Sequence, residues 1–275
     1  MQSVDVFDRV KIKKIDAVLV KCSESSLDGE SNLAYKAAAL FFNKTGISGG
    51  AEIYIEKRIP MQAGMAGGSA DAAAVLYGLN TLYEAKLSED ELCAIGAKLG
   101  ADVPFSLRGG TKLSEGIGEC LSPLPELPDC VFVIIKPDTG MSTAESYRIY
   151  DEHEAAGVEH GDFSSMSTAL DNEDVSGISC AFYNALEVTV PDSVLKIKRK
   201  LISAGALGAV MTGSGTAVFG IFDGIESAAK AKAVLSSEYG DIVIARPAKN
   251  GVSADESAPV FERLDSLGIK YECIN

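Results

Sequence analysis

The 275-residue chain predicts a two-domain α+β fold, and three observations predict it. Strand-like and helix-like periodicities alternate through the first half. Three prolines fall within residues 122–128. In the second half, two apolar strands flank the turn Thr212-Gly213-Ser214-Gly215. The length suits one large domain or two ordinary ones, and 47% hydrophobic residues can fill real cores.

Taken in order, residues 16–22 (DAVLVKC) are short and β-branched, as a strand should be, and 32–43 place Ala, Leu and Phe at helical spacing. Over 51–59, Ile53 and Ile55 alternate with polar neighbours until Pro60 stops the strand. A glycine-rich stretch leads into a helix from Ser69 to about Tyr83, whose Ala72, Ala73 and Ala74 form a thin face suited to close packing on a sheet. Ser88-Glu89-Asp90-Glu91 is a capping box for a further helix ending near Gly100. Residues 109–122 read as short, glycine-punctuated strands, and the prolines after them set the domains at 1–125 and 126–247, with an extension at 248–275. The second domain reads as a strand at 131–135, a helix at 143–150 and an acidic, low-periodicity stretch, partly loop, at 151–176. A helix opened by Pro191 follows, then strands at 206–211 and 216–222, a helix at 225–238 and a strand at 241–246. That order suits a small two-layer α+β domain. An amphipathic helix is expected near 256–267.

A net charge of -14 argues against an extended phosphate-backbone surface, so nucleic acid is excluded as a partner while a small phosphorylated ligand is not. Six cysteines, at 22, 93, 120, 130, 180 and 273, form no C-x-x-C pair and lie in or beside apolar segments. They read as buried thiols of a cytoplasmic protein. No apolar leader or membrane-length run is expected.

The stretch Pro60-Met61-Gln62-Ala63-Gly64-Met65-Ala66-Gly67-Gly68-Ser69-Ala70 joins a glycine loop to the start of a helix. Glycines let the backbone approach a ligand closely, and free N–H groups at a helix start attract phosphate. It is not the Gly-Lys-Ser/Thr phosphate loop, since the chain has no Gly-Lys dipeptide, and Ala66 replaces the second glycine of the dinucleotide fingerprint. A phosphate cradle and a plain tight turn both stay open. Asp102, in Gly100-Ala101-Asp102-Val103-Pro104-Phe105, is a partly desolvated base for a hydroxyl or an ordinary turn-forming Asp. The turn at Gly213 and Ser214 closes over a ligand or merely joins two strands. Tyr147 either stacks on a substrate ring or packs half-buried in a core. His153 and His160 read as solvated, no metal-ligand set is evident, and nothing supports a nucleophilic triad.

These three segments, in this order and spacing, resemble the three motifs of the GHMP kinase superfamily. Within it, residues 59–74, 100–105, the run from Gly109-Gly110-Thr111 to Glu119, Asn184-Ala185-Leu186-Glu187 and 212–219 are similar to members acting in non-mevalonate isoprenoid biosynthesis. The likeness runs from residue 1 to about 246. It implies a ribosomal protein S5 domain 2-like N-terminal domain and a ferredoxin-like C-terminal one. It also implies ATP-dependent phosphorylation of the 2-hydroxyl of 4-diphosphocytidyl-2-C-methyl-D-erythritol, with Mg²⁺. In such kinases the loop Pro60 to Ala70 holds the ATP phosphates, with Ser69 beside them, and Asp102 is the base; Gly213, Ser214 and Tyr147 are substrate contacts by the reading of the residues alone. Neither nucleic acid nor membrane is implied, and monomer and homodimer both stay open. The rival readings are another GHMP small-molecule kinase, disfavoured by Asp102-Val103-Pro104-Phe105, and a nucleotide-binding remnant without catalysis.

Family members begin with a strand carrying a Lys and an Asn, followed by an Asp-Gly-Tyr-His segment. Met1-Gln2-Ser3-Val4-Asp5 matches a point just after it. By length comparison, roughly thirty family residues have no counterpart in this chain. The expectation is an exposed strand edge, a base without its cationic partner, and weakened pyrimidine recognition.

Overall fold

A computed structural model describes residues 1–154 and 161–254. The first half is built on a three-stranded sheet of β1 (Arg9–Ile15), β2 (Leu19–Cys22) and β3 (Gly50–Glu56). In it β3 is central, antiparallel to β1 and parallel to β2. Ile53 and Ile55 point to one face and are fully buried there with Phe41 of α1 (Leu33–Thr45) and Leu76 and Leu79 of α2 (Gly67–Leu82). α1 starts where the Asn32 side chain accepts from Ala34 N–H and stops at Gly46, whose φ of 67° only glycine adopts freely. α3 (Glu89–Gly96) carries the expected capping box, with Ser88 and Glu91 bonding each other's backbone N–H. A short α4 (Asp102–Arg108) and the hairpin β4 (Lys112–Glu115) and β5 (Cys120–Pro123) complete this half.

The second sheet is wholly antiparallel, in the order β7 (Gly208–Met211), β8 (Val218–Phe222), β6 (Val131–Ile135), β9 (Ile242–Ala245). β6 is apolar at every position because both its faces are covered. On one side Val133 and Ile135 meet α8 (Asp192–Ser203) and α9 (Ile225–Leu235). On the other, Phe132 and Ile134 meet Leu170 of α6 (Phe163–Asp171), Ile178 of α7 (Val175–Cys180) and Ala63 of the glycine loop. A further helix, α5 (Thr143–Glu154), stands over the loop between β7 and β8. The first residues join the halves: Gln2 bridges to Thr111 and Val4 to Pro247.

Several expectations are corrected. β1 is a strand where none was read, while the stretch at 151–176 is partly loop as expected, at 161–162 and 172–174, with α6 formed where Met166, Ala169 and Leu170 pack on the sheet. Cys120 and Cys180 are exposed, whereas Cys22, Cys93 and Cys130 are buried. Among the described residues no helix is long and apolar enough to cross a membrane. The helix expected near 256–267, Cys273 and His160 lie outside the described residues.

Candidate active site

A cleft of ≈ 3000 Å³ opens between the two sheets, and every sequence-predicted site residue lines it: the loop from Pro60 to Ala70, Asp102, Tyr147, Gly213 and Ser214. The loop begins where β3 ends. Asp8 Oδ1 accepts from the N–H groups of Arg58 at 2.6 Å and Ile59 at 2.9 Å, fixing the chain just before Pro60. Gln62, Gly64 and Ala66 then take φ of 51°, 69° and 52° in the left-handed region, so the chain turns back before α2. The first N–H groups of α2 have no intrahelical partner, and no side chain caps them. They form a ready site for an anion.

Gly64 has a second reason to be glycine. A Cβ there would stand 2.1 Å from the Thr212 carbonyl oxygen, and one on Gly213 would stand 2.7 Å from the Gly64 carbonyl oxygen. Thr212 Oγ1 donates to Gly64 O at 3.0 Å, and Ala217 N–H donates to Ala63 O at 3.2 Å. The turn between β7 and β8 therefore braces the loop by backbone contact. Asn184 Nδ2 holds that turn by donating to the carbonyls of Met211 at 2.8 Å and Gly213 at 2.9 Å. Glu187 Oε1 accepts from Met211 N–H at 3.0 Å, and the Ser214 hydroxyl lies 2.9 Å from that of Thr143.

Asp102 is the first residue of α4, which packs against α2; a Cβ on neighbouring Gly100 would lie 3.9 Å from Ser69 Oγ. Burial pushes its carboxyl above the usual carboxylate range, and no other cause contributes to that shift. No cationic side chain among the described residues pairs with it, as the salt bridges and hydrogen bonds there all lie elsewhere. A half-buried carboxylate beside an anion cradle can orient a hydroxyl and take its proton.

The family follows from the matches. The GHMP kinase N-terminal domain matches residues 32–110, and the GHMP kinase C-terminal domain matches residues 155–241. The chain is 42% identical over 259 residues to 4-diphosphocytidyl-2-C-methyl-D-erythritol kinase of Clostridioides difficile (strain 630), covering 92% of this chain and 87% of that one. It belongs to that family of GHMP kinases. The corresponding kinase of Clostridium novyi (strain NT) is 39% identical over 90% of this chain and 89% of its own. A crystal structure of 4-(cytidine 5'-diphospho)-2C-methyl-D-erythritol kinase superposes with a TM-score of 0.74 at 31% identity, covering 89% of this chain and 87% of that one. Homoserine kinase from Cytophaga hutchinsonii ATCC 33406 also gives a TM-score of 0.74, covering 91% and 89%, but at 21% identity it shares the fold alone. The two-domain α+β GHMP fold is thereby shown.

Within this GHMP kinase, the uncapped α2 terminus and the roomy cleft fit a nucleotide polyphosphate. Mg²⁺ commonly rests on one or two carboxylates plus phosphate oxygens. No cluster of three or more His, Cys, Asp or Glu side chains among the described residues could hold the ion, so it would rest mainly on the phosphate oxygens. Tyr147 is 54% exposed on α5 and lines the cleft, so it is not a core residue. His153 is exposed. Sequence reasoning missed Asp8, Lys57 and Thr143. The one signal available was Asp71, a lone charge in an alanine-rich helix, which the structure pairs with Lys57.

Proposed function

We propose that this chain transfers the γ-phosphoryl group of ATP to the 2-hydroxyl of 4-diphosphocytidyl-2-C-methyl-D-erythritol. One observation carries the reading: a half-buried carboxylate, Asp102, faces the same cleft as the uncapped N-terminus of α2. Phosphoryl transfer demands positioning and charge neutralisation more than covalent chemistry, and these two features supply one part of each. The N–H groups of α2 and its loop bind the polyphosphate. Asp102 orients the acceptor hydroxyl and takes its proton as the new P–O bond forms. Mg²⁺, when bound, neutralises phosphate charge. Gly213 and Ser214, on the turn that braces the loop, and Tyr147 of α5 contact the acceptor. The loop Pro60 to Ala70 as the ATP site and domains at 1–125, 126–247 and 248–275 belong to the same reading, as does a cytoplasmic setting that keeps the thiols reduced.

Incubation of the purified chain with ATP, Mg²⁺ and the acceptor is expected to release ADP. Asp102→Asn should lower turnover by about 10²–10⁴-fold while ATP binding persists. ATP binding without ADP release from the wild-type chain would favour the non-catalytic nucleotide binder instead, and an Asp102→Asn variant of full activity would remove Asp102 from the role of base.

A further inference from the structure

Beneath the glycine loop lies an ion cluster that the transfer chemistry does not use. Lys57 Nζ pairs with Asp8 and, at 2.8 Å, with Asp71; the three side chains are 6%, 3% and 3% exposed. Asp71 Oδ1 is buried with no hydrogen-bond partner. Two carboxyl groups share one ammonium below a site meant for an anion, and a buried ion network is weak evidence for stability as such. Its geometry points to another task. Asp8 grips the chain entering the loop, through the N–H groups of Arg58 and Ile59. Asp71 sits one turn into α2, where the chain leaves the loop. Lys57 joins the two, and its Nζ would lie 3.4 Å from a Cβ on Gly67, the first residue of α2. The intervening residues include Gln62 and Ala66 at positive φ, which a free chain would not hold.

We propose that Lys57, acting through Asp8 and Asp71, is the positioning residue that holds both ends of the loop at residues 60–66 so that its N–H groups face the ATP phosphates. This rests on reading the cleft as an ATP site. The cluster makes no hydrogen bond or ion pair to Tyr147 or to the turn at Gly213 and reaches that turn only through the loop at Gly64, so its effect falls first on the nucleotide and less on the acceptor. The ammonium keeps its charge: burial works against it, and the two carboxylates more than reverse that, raising its pKa.

The test is titration of ATP into the wild type, Lys57→Met and Asp8→Asn, with KM for ATP and for the acceptor measured on each. Lys57→Met is expected to weaken ATP binding at least tenfold and to raise KM for ATP alike, with KM for the acceptor within twofold of wild type. Asp8→Asn, which frees only the loop entrance, is expected to weaken ATP binding three- to tenfold. It also decides the matter should Lys57→Met not fold. A folded Lys57→Met, or failing that Asp8→Asn, that binds ATP within twofold of wild type overturns the proposal. So does a variant in which both KM values rise together, the mark of a general structural defect. A wild-type chain that binds no ATP overturns the underlying reading, and that outcome needs no variant to recognise.

Discussion

With Asp102 as the proposed base, one residue would set stability against activity. Its carboxyl is pushed up by burial, with no cation among the described residues to draw it back. A base works ionised, so the acid limb of kcat/KM against pH should lie above the ordinary carboxylate value of about 4, and Asp102→Asn should abolish it. The stability effect has the opposite sign. In the unfolded chain the group ionises near its ordinary value, while the folded chain holds the proton to higher pH. Stability therefore falls as pH rises through that window, and the loss persists above it. Asp71, raised to about 7 by burial, with Asp8 reinforcing and Lys57 opposing, contributes in the same direction. Comparison of wild type with Asp102→Asn isolates Asp102. Melts at pH 5 and pH 8 should show a smaller drop in Tm for the variant, and a Tm at pH 8 no lower than wild type. A steeper drop in the variant would mean that the carboxylate is stabilising. The partial burial of Asp102 was legible from the sequence because its neighbours Val103, Pro104 and Phe105 announce desolvation. The Asp8–Lys57 pair was not, since its members lie 49 residues apart and only the fold joins them.

At the scale of elements, the glycine loop and the turn after β7 make one unit. The glycines of the loop were read as a means of approaching phosphate, yet Gly64 is required first by the Thr212 carbonyl. Gly64→Ala places a Cβ against backbone that cannot yield, at a φ that disfavours any side chain, and should cost about 2–4 kcal/mol. Thr212→Val removes only the hydroxyl donated to Gly64 O and should cost about 1 kcal/mol. Urea unfolding measures both, and a Gly64→Ala midpoint equal to wild type would mean that the loop does not rest on the second sheet. Legibility varied between elements for a physical reason. α1, α2 and β3 were plain because Ala-rich spacing and isoleucine alternation are strong periodic signals. β1 was missed although Val10-Lys11-Ile12-Lys13 alternates as a half-buried strand should, because Lys14 breaks the period and leaves only two apolar positions in register. α6 and α7 were missed because they span only nine and six residues, too short for a helical period to register.

Across the whole molecule, the two sheets are tied by the chain's return from the second to the first. After β9, Ala248 N–H donates to Ser3 O at 2.8 Å, while Ser3 N–H donates to Gly110 O at 3.0 Å, so residues 2–4 are held from both sides. The strap then crosses α4, the helix that begins with Asp102. A Cβ on Gly251 would stand 2.0 Å from Ser106 O, and Val252 packs against the first core. A chain ending at residue 247 loses the Ser3 bond, the α4 contact and the partial burial of Val252, together about 1–3 kcal/mol. The exposed Lys249–Glu126 pair adds little. Because the strap touches α4 rather than the phosphate loop, the shortened chain should lose kcat more than it raises KM for ATP. Gly251→Ala separates contact from length. It keeps every residue but forces the strap off the Ser106 carbonyl, so it should reproduce most of the kcat loss; if it does not, the strap contributes stability without positioning Asp102.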